Sequence, residues 1–461
     1  MNLLAHMRNR KDSSHRSINI TQVEKYADNA IALLAGLLFF LMLFTPRSYQ
    51  FVKIPPLAIL VLFILARVCV YGTLPVHRTV LLWFLCYLSY GAVWILIGSF
   101  RGNPGIQDYI RINLVWVILY GLLIAGIHSR RTFDLLLNML PLSALAIAAY
   151  NISVLLKFLG LIPDNILTHL DLTAQEVAVG TDVGVFRMTA HNIGTLAFIG
   201  PYLMALAILR EKNTKTAKNV LHVAFILSFL TILLSGRRAI WFIIAGTPLV
   251  IYLFNLFNLQ RKSVHTRRIR TIVVSMMVFV LLSGFALQIY TAWSFADVKE
   301  FIDLALHEDD IRSDQSDALM RGFQEHYLVG SGFGTGARDY VRNNEQPWVY
   351  ELSYHVLLFN TGILGVFIYG ACIAWIYYKG IQVMRRDTAE APVMISLLTG
   401  MTTFLLANAT NPYLFSYDFM WILFLPIAHI NLVMLRTGAK DYNPDYMTHA
   451  TQTSILQIDV S

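Results

Sequence analysis

Four arginines stand beside or between long apolar runs, where a cation needs an anionic partner. Arg237 and Arg238 occupy a very short turn, LLSGRRAIWF, between two such runs. Arg187 follows GVF in an otherwise acidic loop, and Arg321 opens the segment RGFQEHYLVG. A guanidinium presents a planar fork of donors that matches phosphate oxygens. The set therefore indicates a site for a lipid-linked phosphate or pyrophosphate. The alternative is that each arginine only reaches lipid headgroups or pairs with a loop acid.

A histidine lies at the start of an apolar run that follows a polar segment. His355 begins HVLLFNTGILGVFIYG, so we expect it near a membrane interface. Because an imidazole titrates near neutral pH, it is suited to take a proton from a sugar hydroxyl. The alternative is a histidine that only orients a neighbouring group. Tyr354 precedes it and is expected in the vicinity of a bound substrate.

The run GSGFGTG places Gly330, Gly332 and Gly334 at every second position. A dinucleotide site needs such a run after a predicted strand, and none is predicted here. Glycine also allows a tight turn beneath a substrate or a close approach of two backbones. The sequence favours these last two roles.

Several classes of ligand and partner are disfavoured. The formal net charge of +8 is spread over short loops, which is not the basic stripe expected of a nucleic-acid-binding protein. The acidic residues between 307 and 317 are interpreted as solvated surface, so that no metal ion or other cofactor is expected. The three cysteines all lie in apolar runs and predict neither a disulfide framework nor a thiolate metal site.

The elements that must position these residues are predicted to be membrane helices. The 461 residues are 56% hydrophobic and only 14% charged, and apolar runs long enough to cross a bilayer recur along the chain. This composition predicts an all-α polytopic membrane protein of about twelve spans, with eleven or thirteen as alternatives. The predicted spans are 29–45, 51–71, 79–98, 110–127, 133–156, 192–209, 219–235, 239–256, 271–291, 354–378, 391–409 and 417–435.

The distribution of basic residues predicts the orientation. With a cytoplasmic N-terminus, the majority of the 36 lysines and arginines fall on the cytoplasmic side, as positively charged loops usually do. The predicted parts are then a transmembrane domain (29–435), cytoplasmic tails (1–28 and 436–461), and outward loops (159–191 and 291–353). The larger outward loop is predicted to contain amphipathic helices, and the arginines, the glycine run and His355 all lie on the outward side.

Together these motifs resemble the bacterial O-antigen ligase and O-antigen polymerase family. LLSGRRAI resembles its serine-arginine-glycine turn, and RGFQEHYLVGSGFGTG resembles its arginine and glycine-rich block. ELSYHVLLFNTGILG resembles its histidine helix, and FRMTAHNIGTLA, more weakly, its arginine-containing entry to a span. The resemblance covers roughly residues 180–370. Glu351, rather than His355, stands at the spacing that the family's histidine has from the following glycines.

The resemblance implies a GT-C-like glycosyltransferase of the bacterial inner membrane whose active site faces the periplasm. His355, or else Glu351, would deprotonate an acceptor hydroxyl, which attacks the first sugar of an undecaprenyl-pyrophosphate-linked glycan with inversion. Arg187, Arg237 and Arg321, with Arg238 beside them, would hold the pyrophosphate, and no metal is implied. The lipid bilayer is a further partner, and a chain-length regulator is left open.

Two alternatives remain open at this point. Within the family, a polymerase extends a glycan on its lipid carrier, whereas a ligase joins the glycan to lipid A-core. Both use the same donor, so the motifs do not separate them, and the polymerase is favoured. A protein of another class, a lipid-glycan flippase or transporter, would concentrate its charges at the membrane midplane and show two related halves.

Overall fold

The computed structural model of this chain describes residues 14–72, 74–170, 179–182, 185–188, 190, 192–209, 215–235, 237–258, 310–414 and 416–442. Within these ranges the regular secondary structure is helical, apart from one two-stranded hairpin. The helices are α1 (Ser14–Phe44), α2 (Gln50–Tyr71), α3 (Arg78–Phe100), α4 (Ile106–Ile110), α5 (Val117–Gly126), α6 (Arg130–Phe158), α7 (Ile193–Leu209), α8 (Lys215–Leu234), α9 (Arg238–Leu256), α10 (Asp310–Glu325), α11 (Ser353–Arg386), α12 (Ala391–Ala407) and α13 (Trp421–Tyr442). A π-helical turn, Arg111–Trp116, joins α4 to α5, and a 3-10 turn, Tyr417–Phe419, precedes α13.

Seven helical segments in the described part are long and apolar enough to cross a membrane, which confirms a polytopic helical architecture. Four further apolar helices, α7, α8, α9 and α12, present apolar segments of at most 17 residues. These segments span only about 25 Å, slightly less than a typical hydrocarbon core. The seven are Tyr26–Phe44, Gln50–Val70, Arg78–Phe100, Ile106–Gly126, Arg130–Phe158, Ser353–Arg386 and Tyr417–Thr437.

The remaining expectations differ from the structure mainly at helix ends. The predicted span 271–291 and the helical pattern near 297–306 lie outside the described residues. Helix α1 begins at Ser14, inside the predicted N-terminal tail, and α13 continues to Tyr442, inside the predicted C-terminal tail. Hydropathy identifies only the apolar part of a helix, and the helical hydrogen bonds can continue beyond that part into polar sequence.

The centre of the bundle is formed by α13 together with α7 and α12. In the membrane-length segment that includes α13, 89% of the most apolar stretch is buried inside the protein. The corresponding fraction for α2 is 22%, so α2 is peripheral. Helix α12 packs most extensively against α7, and Gly400 allows this because a side chain there would meet the backbone of Phe198. Small residues at such crossings let two helices approach closely.

Helix α11 is longer than a membrane span and is broken once. Its 34 residues correspond to roughly 51 Å, against roughly 30 Å of hydrocarbon. At Gly362 the backbone leaves the helical region, with φ of 62° and ψ of −172°. The part from Gly362 to Arg386 is about 36 Å long and suffices to cross a bilayer. The turns before Gly362, which include His355, are therefore not required for the crossing.

The predicted outward loop at 159–191 contains a hairpin that the sequence analysis did not anticipate. Strand β1 (Val179–Asp182) pairs antiparallel with β2 (Val185–Met188), with Gly180 opposite Arg187. Valine and threonine favour extended backbone, and both strands contain valine. The hairpin places Arg187 on a strand that packs against α8.

Candidate functional site

The short arginine turn is built by the junction of α8 and α9. Ser235, which follows the last residue of α8, accepts a hydrogen bond from the Arg237 backbone nitrogen at 3.3 Å. The Arg237 guanidinium donates to the Tyr413 hydroxyl, in the connection between α12 and α13. Arg238 is the first residue of α9, and its side chain is outside the described set. The start of a helix carries partial positive charge, which adds to the attraction for an anion.

A second arginine, Arg47, lies within electrostatic range of Arg237, and the sequence did not predict it as a site residue. It lies in the turn between α1 and α2, where Arg47 and Tyr49 both adopt positive φ, 65° and 52°. Side chains rarely accept this conformation, so the surrounding structure must hold it. The Arg47 backbone nitrogen donates to Asp418 Oδ2 at 2.8 Å, and its guanidinium donates to the Pro412 carbonyl at 2.9 Å.

Asp418 is fully buried and joins this turn to the start of α13. Its Oδ1 accepts from Lys53 Nζ at 2.9 Å, in an ion pair that is buried on both sides. Its Oδ2 accepts from Gln50 Nε2 at 3.1 Å as well as from Arg47. Lys53 also donates to the Thr45 carbonyl at 2.6 Å. Removing one partner of such a buried pair leaves an uncompensated charge, so the pair and the turn are maintained together.

The electrostatic surroundings of Arg47 favour an anionic ligand. Burial lowers the pKa of Arg47, and the guanidiniums of Arg237 and Arg342 lower it further, whereas Tyr413 and Asp418 act in the opposite direction. Many protein atoms surround the Arg47 side chain, but part of its surface remains in contact with solvent. An arginine remains charged at any physiological pH. A bound anion would relieve the repulsion within this arginine cluster of Arg47, Arg237 and Arg342.

Glu351 connects the third arginine of the cluster to the outward segment. Its Oε1 accepts from Arg342 Nη2 at 2.5 Å, and its Oε2 accepts from Arg312 Nε at 3.1 Å. Its backbone nitrogen donates to Gln315 Oε1 at 2.8 Å, so that α10 holds the residue in place. Both carboxylate oxygens are occupied by guanidiniums. This geometry is suited to orienting Arg342 and engages each carboxylate oxygen with a cation.

His355 lies four residues after Glu351, in the first turn of α11. The side chain is half-buried, and its ring nitrogens make no hydrogen bond within the described part of the chain. Ser353 donates to the Asn411 carbonyl at 3.1 Å, which ties the start of α11 to the connection that carries Tyr413. The Tyr354 hydroxyl donates to the Leu405 carbonyl at 2.6 Å. A histidine whose ring nitrogens are not engaged by the described protein can accept a proton from a bound hydroxyl.

The other two predicted arginines are placed less directly. Arg321 lies on α10 with an exposed side chain, and its Nε pairs with Asp339 Oδ2 at 3.3 Å. Arg187 lies on β2, which packs against α8, the helix that ends just before Arg237. The Arg187 side chain is not among those described. The structure pairs Glu351 with Arg342 and Arg237 with Tyr413, and it gives Arg321 a surface ion pair. Arg47 lies within electrostatic range of Arg237 and Arg342.

The predicted glycine run serves close backbone packing. Gly330, Gly332 and Gly334 have φ of 72°, 76° and 83°. A Cβ on Gly332 would lie 2.5 Å from the backbone nitrogen of Gly98, in α3. A Cβ on Gly330 would lie 2.4 Å from the backbone of Asn360, just before the break in α11. Of the two roles that the sequence favoured, the structure shows the close approach of backbones.

Signals for the missed residues were present in the sequence. Arg47 follows a proline in a short connection on the predicted outward side, and so it opposes the usual charge bias as Arg237 does. Asp418 is an acid at the entry to the last span, where it requires a partner. The partners themselves are distant in sequence, and only the fold pairs them.

A comparison with models of known protein families finds no match, and a comparison with curated protein sequences finds none either.

Proposed function

We propose that this protein is a glycosyltransferase of the bacterial inner membrane that uses an undecaprenyl-pyrophosphate-linked glycan as donor. The observation that carries the proposal is the arginine cluster, in which Arg237 and Arg342 act electrostatically on Arg47 and Arg237 also donates to the Tyr413 hydroxyl. Guanidinium groups whose repulsion an anion would relieve suit a pyrophosphate better than a neutral ligand. The resemblance of the motifs to the O-antigen ligase and polymerase family supports the same substrate class.

The proposed reaction is a single displacement at the anomeric carbon of the donor's first sugar. His355 takes the proton of the acceptor hydroxyl, and the acceptor oxygen forms the new bond to the anomeric carbon. The bond between that carbon and the pyrophosphate oxygen breaks, and its electron pair leaves with undecaprenyl pyrophosphate. Arg47, Arg237 and Arg342 stabilise the negative charge that develops there. One displacement inverts the anomeric configuration.

Glu351 takes a positioning role in this scheme. Because its carboxylate already binds Arg312 and Arg342, His355 is the better candidate for the base. Glu351 instead orients Arg342 toward Arg47. Arg187, Arg238 and Arg321 remain proposed donor contacts, and Tyr354 and the glycines at 330–334 remain the proposed surroundings.

The proposed architecture completes the scheme at the level of the whole chain. About twelve spans of a GT-C-like fold would hold the site on the periplasmic face, with both termini in the cytoplasm. The lipid tail of the donor would lie between spans. The glycan acceptor, either the next lipid-linked repeat or lipid A-core, would approach from the periplasm.

An Arg237→Lys variant tests the proposal. Lysine keeps the charge but loses the fork, so we expect glycan transfer in proteoliposomes supplied with the lipid-linked donor to fall by about 10²–10³-fold. Arg338→Lys is the matched control, because Arg338 is exposed and makes only a loose ion pair with Glu325 at 3.8 Å. Unchanged transfer by Arg237→Lys, with unchanged donor KM, would argue against the pyrophosphate site.

A gel of surface glycans from a deletion strain separates the two related activities. We favour the polymerase, whose loss would leave a single repeat on lipid A-core. Unattached lipid-linked polymer would instead identify a ligase. A flippase would form no glycosidic bond in proteoliposomes that contain both donor and acceptor. The arginine cluster lies at helix ends and connections, which favours an enzyme over a carrier with charges at the midplane.

A further inference from the structure

A short apolar stretch interrupts the polar segment between α10 and α11. Tyr327, Leu328 and Val329, which we term the apolar tip, lie one residue beyond the end of α10, and their side chains are 55%, 56% and 38% exposed. Large apolar side chains in a row at a surface are unfavourable in water. They therefore mark a contact with something apolar.

The three carbonyls of the apolar tip all accept hydrogen bonds from protein groups. The break at Gly362 removes helical acceptors from the nitrogens that follow it, and the tip supplies the replacements. Ile363 N donates to the Tyr327 carbonyl at 2.9 Å, and Leu364 N donates to the Leu328 carbonyl at 3.1 Å. Trp94 Nε1 donates to the Val329 carbonyl at 2.8 Å.

The satisfied carbonyls distinguish the tip from an ordinary loop. The next carbonyl, of Gly330, accepts from Arg101 Nη1 at 2.8 Å, and Gly330 N donates to the His326 carbonyl at 2.7 Å. A surface loop in water can leave such groups to the solvent. Irregular backbone at membrane depth must instead have its polar groups bonded within the protein. The combination of exposed apolar side chains and protein-bonded carbonyls thus fits a lipid environment.

The position of the tip along the axis of α11 also supports a lipid environment. Helix α11 ends with Arg385 and Arg386 in its last turn, where basic residues mark the opposite interface. About 20 residues back along the helix, a full hydrocarbon thickness of about 30 Å, lies Val366. Ile363, Leu364 and Phe367 are exposed at this level and face outward from the bundle. The tip is hydrogen-bonded to two of them and extends the same apolar surface.

We propose that the apolar tip inserts into the bilayer at the arginine-cluster end of the bundle and contacts lipid acyl chains. The tip follows α10, which holds Glu351 through Gln315 and thereby the Arg342 side chain. Insertion of the tip would fix the position of α10, and of the residues that α10 holds, relative to the lipid surface. The inference depends on the membrane architecture and is independent of the proposed reaction.

Site-directed spin labelling of the full chain in lipid nanodiscs tests the insertion. The three native cysteines are replaced by alanine, and a nitroxide is attached at Leu328→Cys. The matched control is Arg338→Cys, in the same outward segment, where the arginine side chain is 83% exposed. Collision with molecular oxygen, which concentrates in lipid, is compared with collision with a water-soluble nickel chelate.

We expect oxygen to relax the label at 328 several-fold more effectively than the nickel chelate, with the reverse order at 338. Equal access of the nickel chelate to both labels would overturn the insertion. A label at 328 shielded from both reagents would also overturn it, since protein, a second copy or another partner, would then cover the tip. Val329→Cys provides the same reading if the first variant does not fold.

Discussion

At the scale of single residues, the arginine cluster depends on one buried carboxylate. Asp418 holds the Arg47 backbone in a conformation that arginine rarely adopts, and it neutralises Lys53 next to the same turn. The strain is localised at a residue of the proposed anion site. Strained backbone is a common feature of ligand sites because the surrounding structure fixes the side chain before the ligand arrives.

Glu351→Gln distinguishes a positioning role from a catalytic base. The amide keeps one acceptor oxygen but presents an NH₂ group to one of the two guanidiniums, which loosens Arg342. We expect the donor KM to rise by about tenfold, equivalent to about 1.4 kcal/mol of binding, with a much smaller effect on kcat. Steady-state kinetics in proteoliposomes measure both quantities.

His355→Ala is the comparison variant for this experiment. Loss of the base should abolish kcat and leave donor binding in place. If Glu351→Gln instead abolishes kcat while His355→Ala remains active, Glu351 is the base and the assignment is reversed.

At the scale of elements, the glycine run is a packing device that joins α3, α10 and α11. Phe333 N donates to the Trp94 carbonyl at 3.1 Å, and Gly332 N donates to the Asn360 carbonyl at 2.9 Å. Asn103 donates to the Phe333 carbonyl at 2.9 Å from the turn after α3. These contacts hold the break in α11, and hence the turns that carry Glu351 and His355, against α3.

Gly332→Ala should destabilise this junction. The added methyl group would meet the Gly98 backbone, which cannot rotate away as a side chain can, and the positive φ adds strain. We expect a loss of about 1–3 kcal/mol in the free energy of unfolding, measured by thermal unfolding of the detergent-solubilised protein. The control is Gly370→Ala in α11, because no atom lies within 4 Å of an added methyl group there. Equal stability of the two variants would contradict the packing role.

At the scale of the whole molecule, a charge network ties the helices together at the end opposite the arginine cluster. Glu390, directly before α12, accepts from His429 Nε2 at 3.1 Å and from Arg436 Nη1 at 3.3 Å, both on α13. Glu390 also accepts a hydrogen bond from Arg130, on α6. Arg130 forms a second ion pair, with Asp134, at 2.8 Å. Burial alone would raise the pKa of Glu390, but the interactions with His429 and Arg130 outweigh it and lower the pKa to about 2.

The lowered pKa of Glu390 determines how stability depends on pH. A carboxyl whose pKa falls on folding stabilises the folded state above its ordinary pKa of 4.5, and this contribution is lost as the pH falls toward about 2. We expect Glu390→Gln to cost about 3 kcal/mol at pH 7, because the neutral amide loses the charge-assisted bonds that lower the pKa of this carboxyl from 4.5 to about 2. The difference from the native protein should be constant between pH 8 and pH 5 and shrink at lower pH.

Thermal unfolding between pH 8 and pH 3 measures this difference. Glu345→Gln serves as the control, since Glu345 is exposed and its carboxylate makes no ion pair within the described ranges. A stability difference that already disappears between pH 7 and pH 5 would contradict the assignment. It would place the controlling titration on another group.

The sequence by itself determined the helical membrane architecture, because apolar runs of membrane length have few other solutions. It also identified Arg237, Glu351 and His355, since polar groups at span ends are conspicuous in an apolar sequence. Four features required the tertiary structure. They are Arg47 in the cluster, its support by Asp418 and Lys53, the binding of Glu351 by two arginines, and the packing role of the glycines. Each depends on contacts between segments far apart in the chain, and hydropathy and local spacing carry no information about which helix ends meet.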